Sequence, residues 1–257
     1  MNYEIIKDDF KINLMGVKVF RIRHKKTKEL GGYIEKEYNL PQSQVDAESP
    51  TGAAWVFGDA WVSGDARVFG DARVFGDAQV SGDAQVFGDA RVSGGARVFG
   101  GARVFGDARV SGDAQVFGAA RVSGDAQVFG DARVFGDAWV FGDAWVFGGA
   151  RVFGGAWVSG DARVFGDARV FGDARVFGDA QVFGGAQILC IGPIGSRSAY
   201  TTFLMDKKGE ILVCTGCFEG SLEKFEKAVQ ENHNDNEHAK IYAMAIEMAK
   251  AKLKGKK

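Results

Sequence analysis

The chain has 257 residues, 46% of them hydrophobic and 25% charged, with a net charge of −1. That balance excludes a disordered polar tract, and it lacks the basic excess that marks a nucleic-acid-binding domain. No apolar run is long enough to span a bilayer, and the first residues, MNYEIIKDDFKIN, show no apolar leader core. With three cysteines, an odd number, a disulfide framework is not expected. The expected setting is the cytoplasm, with no membrane partner and no cofactor.

Residues 1–52 read as a small β-rich cap and connection. Lys18–Arg23 alternates apolar and basic residues, as a half-buried strand does, and Met15-Gly16 supplies a turn before it. Leu30-Gly31-Gly32-Tyr33-Ile34-Glu35 reads as a turn into a second short strand. Pro41, Pro50 and Gly52 mark the connection to the next segment.

Residues 53–189 form a tandem array. Valine holds every sixth place from Val56 to Val182 and Ile188 takes the next, about 23 units of the form Ala-x-Val-Phe-Gly-Asp. Alternate residues of a strand face opposite sides, so the near-invariant Ala and Val point inward and the variable Arg, Gln or Trp between them points out. Gly-Asp suits a bend, because both tolerate left-handed backbone better than most residues. A short strand and a bend every six residues build a coil whose strands stack in parallel on the coil below. The array holds 12 Arg and 16 Asp with no Lys or Glu, a net of −4.

The repeat Val-Phe-Gly-Asp-Ala-Arg resembles the hexapeptide-repeat superfamily over Ala54–Leu189. The resemblance implies an all-β solenoid, a left-handed parallel β-helix with three units per coil. It departs from the family in carrying Phe after the aliphatic residue, where a small residue is usual; this implies a bulky corner. The layout from Leu30–Glu35 through the array to Gly216–Leu222 also resembles uncharacterised proteins of bacteria and their phages, which carry no established activity.

With 18 residues per coil, outward residues fall into three columns, and one corner carries an unbroken acidic column: Asp71, Asp89, Asp107, Asp125, Asp143, Asp161 and Asp179. The parity argument also turns the sixteen array Phe outward beside these columns. Exposed apolar surface on that scale predicts contact. The candidate interaction surface is Phe129, Phe135, Phe141, Phe147 and Phe153 with Trp139, Trp145, Trp157, Arg91 and Arg109. The expected partner is a second or third copy of the chain, with another protein as an alternative and nucleic acid not favoured. The plainer reading is that Phe folds over the corner and shields the bend. Arg, Gln and Trp codons can differ by one base, so drift in a recently expanded array is a further plain reading of the columns.

Residues 190–257 read as an α+β cap. Tyr200–Met205 and Glu210–Cys214 form a hairpin around a Gly-containing turn. Ser221 caps a helix with Leu222, Phe225 and Val229 on one stripe, and a second helix carries Tyr242, Ile246, Ala249 and Leu253. Its Lys-rich end suits a helix C-terminus.

The residues raise four kinds of chemistry. Hexapeptide-repeat acyltransferases use a histidine base; here the histidines are His24, His233 and His238, all outside the array. Cys214-x-x-Cys217 with Cys190 and His233 could form a Cys3His zinc site, against the plainer reading of buried thiols. Gly192–Arg197 is Gly-rich but lacks the Lys-Ser/Thr of a phosphate loop. The acidic corner could imitate a phosphate backbone, or Asp could simply suit the bend. The expected function is a non-enzymatic rigid scaffold or binding module; an acyltransferase and an acidic nucleic-acid mimic are the alternatives.

Overall fold

The structure is a computed structural model and describes residues 3–13, 16–40, 54–178, 180–183, 188–206, 208–216 and 218–254. Its body is a parallel β-solenoid of about seven turns. Its 22 short strands, β4–β25, run from Trp55–Val56 (β4) to Gln181–Phe183 (β25). Each strand pairs in parallel with the strand 18 residues on, as Arg91 does with Arg73 and Arg109. Three flat faces result. The first begins at β5 (Trp61–Val62), the second at β4 and the third at β6 (Arg67–Val68).

The alternation read from the sequence decides the interior. From Ala60 to Val170 every repeat Ala and Val is fully shielded, while the residue between them faces out. The core is thus two small apolar side chains deep on each side, and each buried Val contributes about 1.5–3 kcal/mol against exposure. The corners follow from glycine. All 21 repeat glycines from Gly58 to Gly178 have φ between 59° and 72°, a region L side chains avoid. The Asp that follows does not share this conformation, so the bend belongs to Gly alone. Corner backbone is bonded between coils as well, for example Asp71 N–H to Gly88 O at 2.9 Å.

The phenylalanines occupy the corners and not the flat faces. Phe87 stacks between Phe69 and Phe105 with centroids 4.9 and 5.0 Å away and planes within 3°. Similar ladders run through Phe99, Phe117, Phe135 and Phe153, and through Phe129, Phe147 and Phe165. Most of these rings are half-buried. These corner stacks accord with the plainer reading in which Phe shields the bend, while Phe57, Phe75, Phe171 and Phe183 remain exposed. Two Ser at these corner positions are buried instead: Ser63 lies under Asn13, whose Nδ2 donates to its Oγ at 3.3 Å.

At the N-terminal end, β1 (Tyr3–Ile12), β2 (Lys18–His24) and β3 (Leu30–Ile34) extend the first face as an antiparallel meander. Then β3 pairs in parallel with β5, placing Ile34 opposite Val62. Six residues on, Leu40 is fully buried, and Asn39 Nδ2 donates to Gly64 O and Ala66 O. Ile34 and Leu40 therefore begin the apolar ladder one coil before the recognisable repeats. Tyr3 Oη donates to Glu37 O at 2.8 Å, and Lys11 pairs with Asp59. The expected connection at Pro41–Gly52 and the turn residue Met15 lie outside the described residues.

At the other end, Ile188 keeps the six-residue spacing but leaves the coil. It opens β26 (Ile188–Ile194), which with β27 (Ala199–Met205), β28 (Ile211–Thr215) and β29 (Phe218–Ser221) makes a four-stranded antiparallel sheet. Ile188 thus pairs with the terminal sheet, and the expected hairpin is the middle of that larger sheet. One side of this sheet, with Leu204 and Cys214, covers the solenoid core. The other, with Phe203, Ile211 and Val213, packs on α1 (Leu222–His233) and α2 (Glu237–Lys254). Ser221 caps α1 by accepting from Lys224 N–H, as expected. Thr202 closes the third face by accepting the Arg175 N–H at 3.2 Å.

Candidate interaction surface

Outward residues at the same face stand one coil apart, so their side chains meet along the axis. In the third face Arg121 lies 4.9 Å over Trp139, and Arg175 lies 5.1 Å over Trp157. The two indoles are 5.4 Å apart. This gives a four-member stack with a guanidinium at each end, each contact worth about 0.5–1 kcal/mol at an exposed site. In the second face Arg163 covers Trp145 at 5.1 Å, and the edge of Trp145 meets Phe129 at 6.1 Å.

The corner between these faces explains why the aromatics gather there. Phe141 has Ser123 and Ser159 one coil below and above it, so no phenyl ladder forms at that point. Its ring instead packs edge-on to Trp139 at 5.8 Å and Trp157 at 6.1 Å. Trp145 and Trp157 remain 36% and 39% exposed, against 9% for Trp55, which the cap covers. Phe129, Phe135, Phe141, Phe147, Phe153 and Trp139 are half-buried; Arg91 and Arg109 are exposed and pair in register on the second face. The structure thus forms two groups, Trp139, Phe141 and Trp157 on and after the third face, and Phe129, Trp145 and Phe147 on and after the second. Phe135 and Phe153 stand at a different corner, after the first face.

The same corner carries the acidic column. Asp71, Asp89, Asp107, Asp125, Asp143 and Asp161 are all exposed, one per coil; Asp179 lies outside the described residues. Neighbouring carboxylates at this spacing repel, and salt screens that repulsion.

The candidate zinc ligands are not brought together. Cys190 and Cys214 sit on the solenoid-facing side of the terminal sheet, each in register with Thr202 between them. Burial pushes both thiols up from their ordinary range. His233 is on the opposite side, at the end of α1 beside His238 and Tyr242. Cys217 lies outside the described residues. Among the described residues no three His, Cys, Asp or Glu cluster as a metal would need. Gly192–Arg197 runs from β26 into a turn and on into β27, so the strand-to-helix setting of a phosphate loop is not present there. Lys250 of the Lys-rich helix end pairs with Glu226 at 2.9 Å.

With the coil described, its likeness to known proteins can be stated. The YdcK beta solenoid repeat family matches this chain. The matched stretches are residues 66–82, 84–100, 102–118, 126–142 and 168–184, each about one coil long. Together they cover about a third of the chain, so the similarity to this repeat family concerns the coil and not the two caps. No curated protein matches the chain. No helix among the described residues is long and apolar enough to cross a membrane.

The sequence reading missed one feature. A cleft of about 430 Å³ lies between α1 and two turns of the terminal sheet, lined in part by Arg197, His233 and Tyr242. Only the order β26-β27-β28-β29 brings those turns together. Local pattern contained no signal for it.

Proposed function

We propose that this protein is a non-enzymatic rigid scaffold, a left-handed coil of the hexapeptide type that self-associates side by side as a dimer or trimer. One observation supports the reading: Trp145 on the second face and Trp157 on the third stay exposed, each with a guanidinium stacked on it. Both ends of the coil are covered by the caps, so further packing of this chain is lateral. A second copy suits the surface because each face already stacks Arg on Trp, and a two-fold arrangement would repeat those contacts across the interface.

Sedimentation velocity on the full chain tests this. The wild type is expected to show a dimer or trimer that dissociates on Trp145→Gln with Trp157→Gln. A wild type that stays a monodisperse monomer at high concentration would sink the reading.

The acyltransferase alternative needs a base that reaches its substrate. His24 packs against Trp55 in the N-terminal cap, and His233 and His238 belong to the helical module. The acidic-mimic alternative keeps one favourable observation, the exposed Asp column. Its test is competition with duplex DNA for a basic DNA-binding protein, which should fail on Asp→Asn at positions 89, 107 and 125.

A further inference from the structure

We infer that the C-terminal module holds a binding site for a small organic anion that carries a planar ring. The cleft between α1 and the β26–β27 and β28–β29 turns measures about 430 Å³, within the ordinary range for small-ligand pockets. Its two sides differ. One is aromatic: Phe218 and Phe225 are 5.1 Å apart, and Tyr242 meets Phe225 at 5.4 Å with planes at 87°. Phe225 and Tyr242 are themselves 3% and 7% exposed, so their rings are fixed by the packing behind them. The other side is polar and cationic, with Arg197 and the polar side chains of Asn232 and His233. Among the described residues no carboxylate lines the cleft, although the chain carries 33 acidic residues.

Local geometry explains how the cationic side is held. Arg197 sits in the turn between β26 and β27, where Ser198 takes a left-handed φ of 48°. The place a Cβ would occupy on Gly216 is 3.9 Å from the Arg197 stem. On the same turn, Gly216 O accepts from Arg175 Nη1 at 3.3 Å. The Arg175 guanidinium and the Arg197 stem therefore bracket Gly216. A third element closes the site: Tyr242 Oη presses so closely on Gly195 that a Cβ there would lie 1.9 Å from it. Glycine at 195 thus lets the α2 aromatic seat against the turn.

Chemistry narrows the ligand. A guanidinium offers a planar fork of donors that matches a carboxylate or phosphate head, and flat apolar walls favour a ring over a flexible chain. The head can be either, since both present anionic oxygens to Arg197. The site does not rest on the scaffold reading: its lining belongs to the cap and needs no second copy of the chain, although Arg175, which bonds Gly216 O, also stacks on Trp157.

Isothermal titration of the full chain tests the inference, with phenylacetate, phenyl phosphate, neutral phenylacetamide and inorganic phosphate as probes. At least one ring-bearing anion is expected to bind saturably, more tightly than the amide and than inorganic phosphate. Preference for phenylacetate marks a carboxylate ligand; preference for phenyl phosphate marks a phosphate monoester. Arg197→Gln should weaken binding about tenfold or more, with the native circular dichroism spectrum retained, while Arg103→Gln on the solenoid leaves binding intact. His233→Gln is a second variant and should weaken binding less. Absence of saturable binding at millimolar probe, equal binding of the amide, or indifference to Arg197→Gln would each overturn the inference.

Discussion

Two glycines of the same repeat position should differ sharply when replaced by alanine. Gly112 has φ 67°, and a Cβ there would meet the backbone N of Gly130 at 2.9 Å and its O at 3.2 Å. Gly172 has φ 63°, but a Cβ there meets nothing within 4 Å. At both sites the left-handed backbone costs an L residue roughly 1–2 kcal/mol, partly offset by about 0.4–1 kcal/mol from a less flexible unfolded chain. Gly172→Ala should therefore cost about 1 kcal/mol. Gly112→Ala must also push backbone against backbone, which no side-chain rotation can relieve, adding about 1–3 kcal/mol. Urea unfolding followed by far-ultraviolet circular dichroism reads the difference. Repeat arrays sum local and nearest-neighbour terms, so the interior lesion should also sharpen exchange of amides in the flanking coils. Equal losses at the two sites would refute the claim that coil stacking, and not the turn conformation alone, demands glycine.

Three further outcomes follow from the caps. Burial pushes the Tyr3 hydroxyl up to about 12; the folded cap holds this proton more tightly than the unfolded chain. Its contribution is thus full below about pH 10, the ordinary tyrosine value, and is lost as pH rises through about 12. Tyr3→Phe should cost about 1–2 kcal/mol at neutral pH, from the lost bonds to Glu37 O and Leu40 O, and should flatten the alkaline limb of a stability–pH curve. Thr202→Val should leave the Arg175 N–H without its acceptor and destabilise the C-terminal cap by about 1–3 kcal/mol, seen as earlier proteolysis between coil and cap. In variants that keep a single cysteine, Cys214 should react with a thiol reagent at mildly alkaline pH far more slowly folded than unfolded, because burial raises its thiol; equal rates would contradict its place under the terminal sheet.

What could be read from the sequence is what the six-residue period controls. Ala and Val repeat with the strand's own alternation, so their inward placement needed no tertiary information. Ser221 announced α1 in the same local way. The phenylalanines were open to two readings, because alternation stops where the strand stops. Phe sits at the first corner residue, and its ring turns along the axis onto the next Phe. The first coil was hidden because Ile34 and Leu40 keep the spacing while Glu-Lys-Glu-Tyr-Asn stands where Gly-Asp-Ala would be. Ile188 misled in the opposite sense: it keeps the spacing, but Leu189-Cys190-Ile191 offers no glycine bend, and the strand runs straight on to Ile194. The cleft at Arg197 depends on which strands neighbour which, and that is not a local property of any segment.

The separation of inside from outside also says where function can be sought. The inward pair is held by close packing at every coil, and glycine by the backbone one coil on; those positions answer to stability. The outward residue between Ala and Val touches its neighbours along the face and the adjacent corner rings but not the core, so Arg, Gln and Trp interchange there at little cost to the coil. Departures from the common pattern are therefore more telling than the pattern itself. Ser63 departs because the N-terminal cap lies on it. Ser123 and Ser159 depart on either side of Phe141, and it is there that Trp139 and Trp157 pack edge-on to it, with Trp157 exposed. Replacing both serines with Phe should rebuild the corner ladder and draw Phe141 off Trp139 and Trp157. If lateral association depends on that cluster, this double variant should weaken it without unfolding the coil. A variant that folds and associates as the wild type does would show that the interface lies elsewhere.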